Sequence, residues 1–107
     1  MTQVEVLFFD GCPGWQHAWV ALGTILAESR WEASVRLRDV TTMAPDELAG
    51  FAGSPTIRVD GVDVFGYRGP AAMACRRYED NGGQGWPSVE ALRARLEAAC
   101  ERDAPSA

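Results

Sequence analysis

The sequence has no lysine, a single histidine and only three cysteines in 107 residues. Every basic residue is an arginine, which we read as codon usage in a GC-rich genome and not as an anion-binding device. The formal net charge of −5 gives a field that repels a phosphate backbone, so nucleic acid is not an expected partner. No stretch approaches the roughly 20 apolar residues that a membrane span requires, so no membrane association is expected. The apolar run Val4–Phe9 is shorter than a signal-peptide core, and it has neither a basic region before it nor a small-residue cleavage site after it. That pattern points to a cytoplasmic protein. Three cysteines are too few for a disulfide scaffold, and the odd number leaves one as a bystander. In a reducing compartment each thiol calls for an explanation by packing, redox chemistry or metal binding.

What is present fits one soluble domain over residues 1–107 with a single core: 47% of residues are hydrophobic and 23% charged. Val4–Phe9 is apolar on both faces after Glu5, as a central strand covered on both sides requires. Pro13 suits a first helical turn, and Trp15, Ala18, Trp19, Leu22, Ile25 and Leu26 form one helical stripe, predicting a helix over about 13–28. Residues 34–40 alternate Val35 and Leu37 against Arg36 and Arg38, the pattern of an edge strand with one wetter face. Pro45 followed by Asp46 and Glu47 predicts a short helix within 42–52. Asp60-Gly61 is a strong hairpin signal, and two-residue closure sets Arg58 opposite Asp63 and Ile57 and Val59 beside Val62 and Val64. Residues 66–87 are turn-rich and read as an insertion; Ser88 caps a last helix with Val89, Leu92, Leu96, Ala99 and Cys100 inward, and 102–107 read as a frayed tail. The order is β-α-β-α-β-β-α, an α/β domain.

Cys12 stands between the first strand and the first helix. A thiol at a helix origin faces amide N–H groups without helical acceptors and the positive end of the dipole, both of which favour thiolate. Such placement can lower a cysteine from near 8.5 to between about 3.5 and 7.5, although Asp10 two residues earlier opposes the shift. Two motifs, Cys12-Pro13-Gly14-Trp15 and Ser54-Pro55-Thr56 at the hairpin, make the chain resemble thioredoxin-fold proteins. The resemblance covers about residues 3–65 and 88–101. It implies a central mixed four-stranded sheet flanked by helices, with 66–87 inserted before the last helix. It also implies a cis Pro55 that brings the 54–56 backbone alongside the thiol, where an extended thiol substrate could hydrogen-bond. Pro13, Trp15, Ser54, Pro55 and Thr56 then form the substrate side of the site, and no cofactor is implied.

The chain departs from that family where a second cysteine would stand, because Trp15 occupies the position. Cys12 therefore works alone, through mixed disulfides resolved by an external thiol such as glutathione or mycothiol, or a distant cysteine resolves it. Cys75 is the candidate, with Arg76 and Arg77 beside it to stabilise a second thiolate or hold an anionic substrate group. Cys100 falls on the apolar face of the last helix and reads as packing. The motifs Asp10-Gly11-Cys12-Pro13 and Gly53-Ser54-Pro55-Thr56, with the later Cys75-Arg76, are also similar to small bacterial thioredoxin-like proteins grouped loosely with alkylmercury lyases. Those lyases use two similarly spaced cysteines and a carboxylate where Trp15 stands here, so the resemblance implies soft-metal capture rather than carbon–mercury cleavage. His17 reads as a solvated helix residue; Trp31 and Trp86 read as packing under loops; Tyr67, Arg68 and Tyr78 are further candidates for the face of Cys12. The expectation is thiol–disulfide exchange on a protein or small-molecule thiol or disulfide substrate, through Cys12 with Cys75 or an external thiol resolving. The alternatives are soft-metal (Hg²⁺ or Cu⁺) binding by Cys12 and Cys75, and a redox-silent interaction module.

Overall fold

In the computed structural model, which describes residues 2–100, the first strand β1 (Thr2–Phe8) lies at the centre of a mixed sheet. It pairs in parallel with β2 (Ala33–Asp39) and antiparallel with β3 (Thr56–Val59), which in turn pairs antiparallel with β4 (Val62–Asp63). The order across the sheet is β2-β1-β3-β4. Two helices complete a small α/β fold, α1 (Trp15–Glu28) and α2 (Val89–Cys100). The expected frayed tail at 102–107 lies outside the described residues. Among the described residues no helix is long and apolar enough to cross a membrane.

The period of two along β1 sorts its side chains between two layers. Val4 and Val6 face the helices, where they meet Ala18, Leu22 and Ile25 of α1, Ile57 and Val59 of β3, and Leu92, Leu96 and Cys100 of α2. The stripe read from the sequence thus becomes the core, and each buried leucine or isoleucine there contributes about 1.5–3 kcal/mol. Leu7 faces the opposite way, into a second cluster with Val40, Met43 and Phe51. That cluster lies at the end of β1 from which the chain runs on to Cys12.

The expected helix within 42–52 does not form. A 3-10 turn at Val40–Thr42 leads into turns closed by Glu47 N–H to Ala44 O at 3.0 Å, Leu48 N–H to Pro45 O at 3.2 Å and Phe51 N–H to Leu48 O at 2.9 Å. The reason lies across the sheet. Arg58, nearly buried, donates from Nη1 to Glu47 O at 2.9 Å and from Nη2 to Ala49 O at 2.8 Å. Carbonyls turned toward that guanidinium are not aligned along a helix, and a buried cation without them would be very costly. Arg58 and Asp63 are directly opposite in the β3–β4 ladder, as the hairpin register requires, but their side chains do not pair. Asp60 and Gly61 take φ of 50° and 85°, the positive values that a two-residue turn needs.

β2 is an edge strand, and residues on both of its faces are exposed, so the expected division into one wet and one apolar face is weak. Val35 and Leu37 are 37% and 38% exposed, and Arg36 between them is exposed too; on the helix side Val35 shares a cavity with Trp19, Leu22, Gly23 and Leu26 of α1. On the other side Arg38 is held by Glu5 at 3.1 Å and by Glu47 at 2.8 Å. The Arg38 guanidinium, and next the Ala44 N–H, hold the Glu47 carboxyl below its usual range. A carboxyl lowered on folding adds stability above its ordinary pKa and loses it as pH falls through the lowered value. Arg38→Ala should therefore melt below the wild type near neutrality. The gap between the two melting temperatures should narrow as pH falls from about 6 to about 2, a comparison open to thermal melts across that range. A gap that stays constant through the acid range would remove Glu47 from the account.

Candidate functional site

Past Phe8 the chain turns through Asp10 and Gly11, whose φ of 104° favours glycine, and delivers Cys12 in front of α1. The helix begins at Trp15 with Gly14 as its N-cap, so Cys12 precedes the cap by two residues and Pro13 lies outside the helix. No side chain caps α1, and no acidic residue occupies its first turn. Trp15 stacks at a tilt on Phe8, ring centroids 4.5 Å apart. Cys12 is 3% exposed.

The second wall is the segment before β3. The Ser54–Pro55 peptide is cis. Ser54 and Thr56 are buried, and each side-chain hydroxyl is hydrogen-bonded. Ser54 Oγ accepts from Phe9 N–H at 3.2 Å, tying this segment to the end of β1; Thr56 Oγ1 donates to Gly53 O at 2.6 Å and accepts from Ala52 N–H at 3.2 Å.

The third wall comes from the insertion. Residues 74–76 run parallel to Ser54, with Ser54 N–H donating to Ala74 O and Arg76 N–H donating to Ser54 O, both at 2.9 Å. That pairing sets Cys75 beside Cys12, and the two form a disulfide with Cα atoms 5.5 Å apart, inside the roughly 7 Å limit for bridging. Cys75 is exposed while Cys12 is buried. Cys100 lies in the core among Leu92 and Leu96. Among the described residues no group of three or more His, Cys, Asp or Glu is placed to hold a metal ion.

Arg76 does not reach toward an open site. Its guanidinium meets Asp63 with Nη1–Oδ1 at 3.2 Å and Nη2–Oδ2 at 3.1 Å, and it lies 4.7 Å from the ring centroid of Tyr78. Arg77, by contrast, is exposed. Of the other candidates in this region, Tyr78 joins the site: its hydroxyl donates to Pro55 O at 2.6 Å. Burial pushes the Tyr78 phenol far above its usual range, so it remains a donor throughout ordinary pH. Tyr67 turns back on Pro70 O at 2.7 Å, and Arg68 is exposed beside the β3–β4 hairpin. His17 is exposed on α1 and stacks on Trp86 with centroids 4.0 Å apart.

Two glycines that sequence reasoning passed over set the close approaches. A Cβ on Gly53, whose φ is 106°, would lie 2.8 Å from Ala74 O and 3.1 Å from Arg76 N. A Cβ on Gly14 would overlap the Gly85 carbonyl, so Gly14 admits the 84–86 segment against the start of α1. The available signal was position: each glycine adjoins a motif, Gly14 following Cys12-Pro13 and Gly53 preceding Ser54-Pro55.

Gly53→Ala should lower stability by about 1–3 kcal/mol from backbone strain, with a further loss from displacing 74–76. Thermal melts beside Gly66→Ala, which has positive φ but open space, separate the two contributions. Equal losses in the two variants would deny the close packing its role. Tyr78→Phe leaves the buried Pro55 carbonyl without its donor and should cost about 1–3 kcal/mol in denaturant unfolding. A neutral result would mean that this bond does not hold the insertion in place.

No family model matches the chain, and neither does any curated protein or solved structure.

Proposed function

We propose that the protein carries out thiol–disulfide exchange through Cys12 and Cys75, on a scaffold laid out like thioredoxin. The observation that carries this reading is the disulfide itself, closed between the segment before α1 and a strand-like segment of the insertion. The layout is supported by a cysteine between β1 and α1, a cis X-Pro bond immediately before β3, and a last helix on the same face of the sheet as α1. In the full reaction two thiols reduce the protein disulfide to a dithiol and leave as one disulfide, so two electrons and two protons pass to the protein. The reverse reaction oxidises a dithiol substrate. The substrate class is a thiol or disulfide, either a low-molecular-weight compound such as glutathione or mycothiol or a cysteine of another protein, in a cytoplasmic setting. No cofactor is required by this chemistry.

Two features favour cycling over a permanent cross-link. Cys75 is open to solvent, so a nucleophile reaches the bond without unfolding. Cys12 lies two residues before the N-cap of α1, a helix start with no side-chain cap and no first-turn acid. A second reading, capture of a soft cation such as Hg²⁺ or Cu⁺ by the reduced pair, draws on the same 5.5 Å closeness of the two Cα atoms.

Equilibration of the native protein in glutathione redox buffers, followed by acid quench and alkylation, tests the proposal. Cys12 and Cys75 should become alkylatable together, in one reversible two-electron step, with the fold retained by circular dichroism. A bond that opens only after denaturant is added would make the disulfide structural. Mercury titration of the reduced protein and of Cys75→Ser tests the second reading, which requires tight one-to-one binding that the variant loses.

A further inference from the structure

The two sulfurs of the disulfide are not equivalent. Exchange at sulfur is a collinear displacement: the attacking thiolate, the attacked sulfur and the leaving sulfur lie near one line. Attack on Cys75 therefore arrives from the side of Cys75 away from Cys12, and attack on Cys12 from the side away from Cys75. Cys75 is exposed and follows Met73, 56% exposed, and Ala74, also exposed. Cys12 is 3% exposed, in front of α1 and after the exposed Asp10 and Gly11.

We infer that the reducing thiol attacks Cys75 and expels Cys12, and that this first thiol is a small molecule rather than an extended peptide. The inference rests on the exchange reading above and assigns the roles within it. The second clause follows from Ser54. Its N–H and C=O are the groups that an extended substrate strand would use, and both are already bonded to Ala74 and Arg76 of the chain itself. While the disulfide is closed, the insertion occupies that pairing edge, and a compact thiol is the nucleophile that needs no edge.

The electrons balance in two steps. In the first, R–S⁻ forms a bond to Cys75 Sγ as the Cys75–Cys12 bond breaks, and the electron pair leaves on Cys12 Sγ. In the second, another R–S⁻ attacks the R-side sulfur of the mixed disulfide, giving R–S–S–R and a Cys75 thiolate. Each protein thiolate then takes the proton given up by one attacking thiol.

The test uses the wild-type oxidised protein, so no variant has to fold. The protein is mixed with glutathione for times short against full reduction, quenched with acid, alkylated with N-ethylmaleimide and mapped by mass spectrometry. Glutathione should be found on Cys75 and N-ethylmaleimide on Cys12, in an excess of about tenfold or more over the opposite pattern. The opposite pattern, or an even mixture, would overturn the assignment while leaving exchange intact. Neither adduct nor reduction under native conditions would overturn both. In a second arm, an unstructured cysteine-containing peptide of matched thiol pKa should reduce the protein no faster than glutathione. A clear advantage for the peptide would show that the Ser54 edge is available after all.

Discussion

Asp63 leaves β4 with its side chain 1% exposed, and its two oxygens are met by Arg76 and by the N–H groups of Phe65 and Tyr67. A carboxylate taken this far out of water costs several kcal/mol unless a cation and donors surround it. The chain supplies that cation from thirteen residues further along. To do so, the excursion that begins after β4 must come back across the front of β3. Arg76 arrives with its own N–H on Ser54 O, and Cys75 beside it lies where it forms the disulfide with Cys12. In this structure the arginine's contacts are with Asp63 and Tyr78, and they fix the path of the insertion.

Around that pair the neighbouring contacts form one closed assembly. Tyr78, two residues past Arg76, bonds Pro55 O and packs edge-on to Phe65 at 5.1 Å. Gly53 is bare where 74–76 cross it, and Gly14 is bare where Gly85 meets the start of α1. Ser54 is bonded on one side to Phe9 at the end of β1 and on the other to the insertion. The sheet, the first helix and the insertion thus converge on a few atoms around the disulfide. This is why the insertion, turn-rich and nearly without regular structure of its own, still has a defined course.

Parts of this were legible from local chemistry. Asp60-Gly61 announces its hairpin because few dipeptides accept two positive φ values in succession. The α1 stripe announces the core because period 3.6 is visible in one segment alone. Cys12 beside Pro13, and Ser54-Pro55-Thr56, are contiguous motifs. The features that stayed hidden all depend on partners distant in sequence. Pro45-Asp46-Glu47 looks like a helix start until Arg58, from another strand, takes the carbonyls of Glu47 and Ala49. Arg76 looks like an anion site until Asp63 is seen to be buried. Val35 and Leu37 look like a covered face, but at the sheet edge they are 37% and 38% exposed. Spacing and the resemblance single out Cys75 as the partner of Cys12, but the contacts that carry it there, the Ser54 pairing and the Asp63–Arg76 ion pair, lie far apart in sequence.

The disulfide closes a loop with a sequence separation of 63, which in the chain-entropy description removes about 4 kcal/mol of conformational freedom from the unfolded state. A cross-link of that size in a small domain would ordinarily be read as structural. The other contacts of the insertion argue for a different balance. Asp63–Arg76, Tyr78–Pro55 and the Ser54 pairing are all non-covalent, and reduction breaks none of them directly. They would hold Cys75 near Cys12 after the bond opens, so the two thiols meet at high effective concentration. Restoring the bond then requires only an oxidant, not a search through open conformations. Those ties meet what the exchange proposed above requires: a pair that can open and close without its two thiols drifting apart.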